Sequence, residues 1–141
     1  LEDAEMGRRY LPASWAGDLS PAHITAASTA PDGQQAQAVR VAVQLLLGMA
    51  DAYYRSGNAG LAYLPWRAHI AIAVAASVYR QIGVQIAASG HGWHQGRQVT
   101  GLSTKILCSL RASGSLWRRL WWRPAHQKAL HDVLIGLPYV G

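Results

Sequence analysis

The sequence predicts an all-α protein, on three observations. Half of the 141 residues are apolar, with Ala foremost, and only 14% are charged, a composition that suits packed helices and not a disordered chain. Apolar residues recur at three- and four-residue steps over long stretches. No stretch alternates apolar and polar residues as a half-buried strand does. At this length residues 1–141 read as one helical domain, large enough to bury a core.

Residues 1–8 read as the end of a helix, which Leu11-Pro12 stops. The Ala-, Ser-, Pro- and Gly-rich stretch from Ser14 to Gly33 reads as a surface connection carrying at most a short helix. From Gln34 to Ser56, Val39, Val43, Leu46, Leu47, Ala50 and Tyr54 mark one helical face, and Gly57-Asn58-Ala59-Gly60 is the expected cap. A second helix is expected from near Pro65 to Ala88, ended by Ser89-Gly90-His91-Gly92. Its Ala-rich run and apolar circumference imply close helix neighbours and burial all round. The uncharged run between Arg67 and Arg80 is 12 residues, short of the roughly 20 that span a bilayer, so a buried helix is expected. The short Gly-rich link should set the two long helices antiparallel. A third helix is expected over Ser103–Ala112 with Ser103 as N-cap, followed by a turn at Ser113-Gly114-Ser115. Leu116 to Leu134 should be helical in part, interrupted at Pro124.

The charge balance is +6, and five basic residues fall between Arg111 and Lys128. No motif supports a nucleic-acid reading of this basic tail. The patch Trp117-Arg118-Arg119-Leu120-Trp121-Trp122-Arg123 suits contact with a membrane surface, or Trp packing onto the preceding helix with solvated Arg. The single Cys108 excludes a disulfide framework within the chain and reads as a small buried hydrophobe. A reducing cytoplasm, peripheral to the membrane, is the expected location. His91 and His94 stand three apart in a Gly-rich loop with no third ligand nearby, which argues against zinc.

The chemistry-bearing residues are at the start. Glu2 and Asp3 form a carboxylate pair, and Arg8 follows Asp3 by five positions. Carboxylates on one helix face can share Mg²⁺ with a diphosphate, and an Arg can grip the same oxygens. Glu2-Asp3 followed by Gly7-Arg8-Arg9-Tyr10-Leu11-Pro12 resembles the squalene/phytoene synthase family, whose stretch reads Asp-x-x-Glu-Asp and then Gly-Arg-x-Tyr-Leu-Pro. The leading Asp of that motif would lie just before residue 1. Further segments resemble the same family in the same order: Tyr53-Tyr54 through Ala59-Gly60-Leu61 to Leu64-Pro65, Ala71-Ile72 through Tyr79-Arg80-Gln81-Ile82-Gly83, Arg97 with Lys105, and Arg123-Pro124-Ala125-His126. Residues 127–141 match nothing in the pattern.

The resemblance implies the C-terminal portion of an isoprenoid synthase-type helical bundle, closest to bacterial phytoene synthases. It implies a prenyltransferase that condenses two prenyl diphosphates head to head. The expected substrate is geranylgeranyl diphosphate, converted through a cyclopropyl diphosphate to phytoene in carotenoid biosynthesis. Mg²⁺ or Mn²⁺ would be the cofactor, with Asp3 and Glu2 as ligands and Arg8 on the substrate diphosphate. Tyr10 and Tyr79 would be the catalytic aromatics, and Leu61, Leu64, Ile72 and Ala75 cavity or core wall. The 141-residue chain alone is expected to be inactive. The alternative implied is a non-catalytic scaffold, like the assembly-factor relatives that keep the fold.

Overall fold

The computed structural model describes residues 1–95, 101–121, 124 and 128–137. Among these residues six α-helices run in chain order: α1 Glu2–Glu5, α2 Ala13–Ala16, α3 Pro21–Ala27, α4 Gln34–Gly60, α5 Trp66–Ala88 and α6 Leu102–Trp121. Two 3-10 turns, Leu61–Tyr63 and Lys128–Leu134, complete the set. There is no strand among the described residues, and the all-α expectation holds. Arg97, Trp122-Arg123, Ala125-His126 and the end of the tail lie outside the described residues.

The chain divides into two compact units, Leu1–Ala50 with Tyr79–Gly101, and Asp51–Val78 with Leu102–Gly141. In the first unit α1 and α3 cover the start of α4. Ala4, Ile24 and Val39 form the core, with Leu11, Leu19, Val43 and Trp93 packed against it. The stretch before α4 is therefore more than a surface connection. It carries two short helices and buries Ala16, Ile24 and Ala27. Ser20-Pro21 explains the longer one: the Ser20 hydroxyl accepts the His23 amide at 3.2 Å, and Pro21 occupies the first helical position. Within this unit α5 lies against α4 at Gly83, where an added Cβ would meet Leu47 Cδ2 at 3.1 Å. Gly83 is what allows the approach.

In the second unit Leu61, Ala73 and Ala112 form the core, flanked by Leu64 and Val74. Cys108 is buried and its Sγ sits 3.7 Å from Ser77 O, so α6 lies on α5. His69 ties three elements together. It is 2% exposed, with Nδ1 2.8 Å from Leu61 O and Nε2 2.8 Å from Ser115 Oγ. A carbonyl can only accept, so Nδ1 carries a proton. The Tyr53 hydroxyl donates to Leu130 O and the Tyr63 hydroxyl to Pro124 O, both at 3.1 Å, fastening the chain beyond α6.

Three expectations need correcting. The predicted cap at Gly57–Gly60 is helix: Gly60 has φ −66 and ψ −20, so the turn Leu61–Tyr63 continues from a right-handed residue. The predicted turn at Ser113–Ser115 lies inside α6. The Ser113 hydroxyl bonds back to the Ser109 carbonyl, and the Ser115 hydroxyl lies within reach of both Ala112 O and His69 Nε2, so neither hydroxyl needs a break in the helix. Finally, α5 is not buried all round. Only His69 and Ala73 are buried on it, and Ile72 and Tyr79 are about half or more exposed. Taken whole, its 23 residues are long and apolar enough to cross a membrane, by length and composition only. The uncharged run, counted between its Arg residues, understated that length.

Candidate functional site

The acidic pair and the basic residue after it are held by one local device. α1 ends at Glu5, and Gly7 adopts φ +73, the left-handed conformation that favours glycine. The Gly7 amide then bonds Ala4 O at 3.0 Å, and the Arg8 amide reaches back to Asp3 O at 2.8 Å. This paired closure at a helix C-terminus is a Schellman motif. Its consequence is functional geometry, because the backbone of Arg8 is pinned to the backbone of Asp3. Gly7 is thus the reason that a Gly precedes the Arg.

The next residues separate structural from available groups. Arg9 Nη1 donates to Leu19 O at 2.8 Å, and Leu11 packs on the Ala4–Ile24–Val39 core. Arg8, Glu2 and Asp3 are exposed, and their side chains make no hydrogen bond or ion pair among the described residues. Of two adjacent arginines, one has a structural role and the other remains open to a ligand. Tyr10 is 71% exposed and Tyr79 65% exposed. All five predicted site residues belong to the first unit. Asp3 and Arg8 are brought together through their backbones, whereas no hydrogen bond joins Tyr10 or Tyr79 to them among the described residues. Of the predicted wall residues, Leu61 and Leu64 are in or against the core of the second unit, while Ile72 and Ala75 are exposed.

Glu2 and Asp3 supply hard oxygen donors of the kind Mg²⁺ takes, usually one or two carboxylates completed by waters and substrate phosphates. No group of three or more His, Cys, Asp or Glu residues that could hold a metal is found among the described residues. The pair therefore fits a part of a metal site and not an enclosed one. Sequence reasoning found these residues but missed the backbone tether, which the Gly following an acidic helix end could have signalled.

An all-α chain with an acidic helix end and a tethered arginine defines the class, and the comparisons agree. The chain belongs to the squalene/phytoene synthase family, whose pattern residues 1–103 match. Its all-α architecture is of the isoprenoid synthase type expected from that membership. It is 42% identical over 115 residues to a 15-cis-phytoene synthase of Enterobacter agglomerans, covering 81% of this chain and 37% of that protein. It is 42% identical over 132 residues to a 15-cis-phytoene synthase of Pantoea ananas, covering 89% and 41% respectively. With a phytoene synthase of Pseudescherichia vulneris the identity is 39% over 136 residues, covering 88% and 42%. The chain thus spans about two fifths of the length of the curated relatives it matches. No solved structure matches it significantly.

Proposed function

We propose that the intact protein containing this chain condenses two molecules of a prenyl diphosphate head to head. Geranylgeranyl diphosphate is the proposed substrate and phytoene the product, formed through a cyclopropyl diphosphate in carotenoid biosynthesis. The observation that carries the reading is the exposed Glu2-Asp3 pair with Arg8 pinned beside it, inside the segment that matches the family. Asp3 and Glu2 would hold Mg²⁺ or Mn²⁺. When bound, such an ion offsets the negative charge that grows on diphosphate as it leaves. Arg8 binds the same oxygens through its planar fork and remains charged throughout. Tyr10 and Tyr79 are proposed to line the reacting cavity once the rest of the protein covers them. The condensation test is direct: the intact protein with geranylgeranyl diphosphate and Mg²⁺ is expected to yield phytoene by chromatography. If a folded intact protein forms no condensed product from C15 or C20 diphosphates, the scaffold alternative replaces this reading.

We further propose that the protein works in the cytoplasm, against a lipid surface, through α6. Leu102, Ile106, Leu110, Trp117 and Trp121 lie at helical spacing and are 54–88% exposed. Aromatic side chains of this kind sit well at the headgroup level, and neighbouring basic residues favour anionic lipid. Replacing Trp117 and Trp121 together by Ala should weaken co-sedimentation with phosphatidylglycerol vesicles on the order of tenfold or more, given the apolar area two Trp side chains bury. Unchanged co-sedimentation would assign the stripe to another role.

A further inference from the structure

The second unit contains a cavity of about 550 Å³. Its described lining residues include Arg55, Arg111, His69, Asn58, Ser77 and Ser115, with no Asp or Glu among them. Leu61 and several alanines form the apolar part of the wall. Two guanidinium groups therefore border one space with no carboxylate among its described lining residues. Arg55, near the end of α4, is held from outside the cavity. Its Nη1 bonds Asp51 Oδ2 at 2.8 Å, which leaves Nε and Nη2 of the fork for a ligand. Arg111, on α6, makes no side-chain hydrogen bond or ion pair among the described residues. Arg55 shares its charge with Asp51 and Arg111 does not share its own, so the concave, partly apolar site keeps a net positive charge that draws anions.

The wall behind these arginines is rigid. His69 is fixed by Leu61 O and by Ser115 Oγ, and the Ser115 hydroxyl is also 2.6 Å from Ala112 O. These bonds fix the wall in place, so a ligand has little ordering to impose on it. The ligand-facing donors are the two guanidinium forks, which match the oxygens of a phosphate or diphosphate group better than a single carboxylate, while His69 and Ser115 use their polar atoms to hold the wall.

We infer that this cavity binds a phosphate-class anion at Arg55 and Arg111, a site separate from the Asp3–Arg8 end of the chain. The inference goes beyond the condensation reading and does not depend on it. The shared chemistry is the phosphate group, which a free diphosphate or a phospholipid headgroup could present.

The test uses the 141-residue chain carrying Arg8→Ala, in buffer without Mg²⁺, so that the acidic end contributes nothing. Titration with inorganic pyrophosphate should show saturable binding of one anion per chain. Arg111→Gln and Arg55→Gln should each weaken it tenfold or more, and Arg111→Lys should recover part of the loss. Arg67→Gln, outside the cavity, should leave it unchanged. Melting temperatures should match throughout, because the replaced side chains are exposed. A parallel arm with phosphatidic acid in phosphatidylcholine vesicles separates the sources. Arg111-dependent binding of vesicles alone assigns a headgroup, and Arg111-dependent binding of pyrophosphate assigns the free anion. If neither probe binds in a way that depends on both arginines, the inference is overturned, whatever the outcome of the condensation assay.

Discussion

Asp3→Asn in the intact protein is expected to lower turnover on the order of a hundredfold or more while leaving the melting temperature in place. The size follows from removing one preorganised charge-stabilising group from a step in which charge grows on a leaving group. Stability should be spared because Asp3 is exposed on α1 and its side chain takes no part in the helix-end closure, which uses its carbonyl. Arg8→Ala should also be severe, and Arg8→Lys should restore only part of the activity, since Lys keeps the charge but not the planar fork. Gly7→Ala tests the tether between them. A Cβ there meets nothing within 4 Å, yet φ +73 is strained for any L side chain. The variant should therefore cost about 1 kcal/mol of stability and shift Arg8. Steady-state condensation at several Mg²⁺ concentrations, with melting in parallel, reads all four. Near-normal turnover in Asp3→Asn, or a loss that merely follows a collapsed melting temperature, would reduce Asp3 to a helix-end charge.

How much of this was legible in the sequence depends on the kind of residue that carried the signal. The long helices were readable because Val39, Val43 and Leu47 repeat with the helix period, and a period survives any detail of packing. Their ends were less so, and the glycines show why. Gly7 and Gly90 stop helices because each has a positive φ, at +73 and +67. Gly60 and Gly114 sit within right-handed helical backbone, where glycine is only a weak former that the surrounding packing overrides. Composition alone does not say which of these a glycine will be. The acidic pair and Arg8 were legible because their residue types are rare together and adjacent in the chain. The cavity of the second unit was not, since Arg55, His69 and Arg111 come from three separate helices and only folding puts them on one wall.

The largest stability effect is expected at His69, a residue visible in the sequence only as one polar member of an uncharged run. His69→Ala should destabilise the 141-residue chain by about 2–4 kcal/mol. Two physical losses add up. The Leu61 carbonyl at the start of its 3-10 turn loses the Nδ1 donor and keeps only the Leu64 amide, and a buried ring is replaced by a methyl group. Ser115→Ala should cost less, on the order of 1 kcal/mol, because the Ala112 carbonyl keeps its place in the helical ladder and the loss is the single contact to His69 Nε2. A double-mutant cycle should then show coupling of about 0.5–1 kcal/mol, since Ser115 has no ring to meet once His69 is gone. Urea melts of the four proteins measure this directly. If His69→Ala melted with the parent, or if the two substitutions were simply additive, His69 would not be the tie that holds the Leu61 turn, α5 and α6 together.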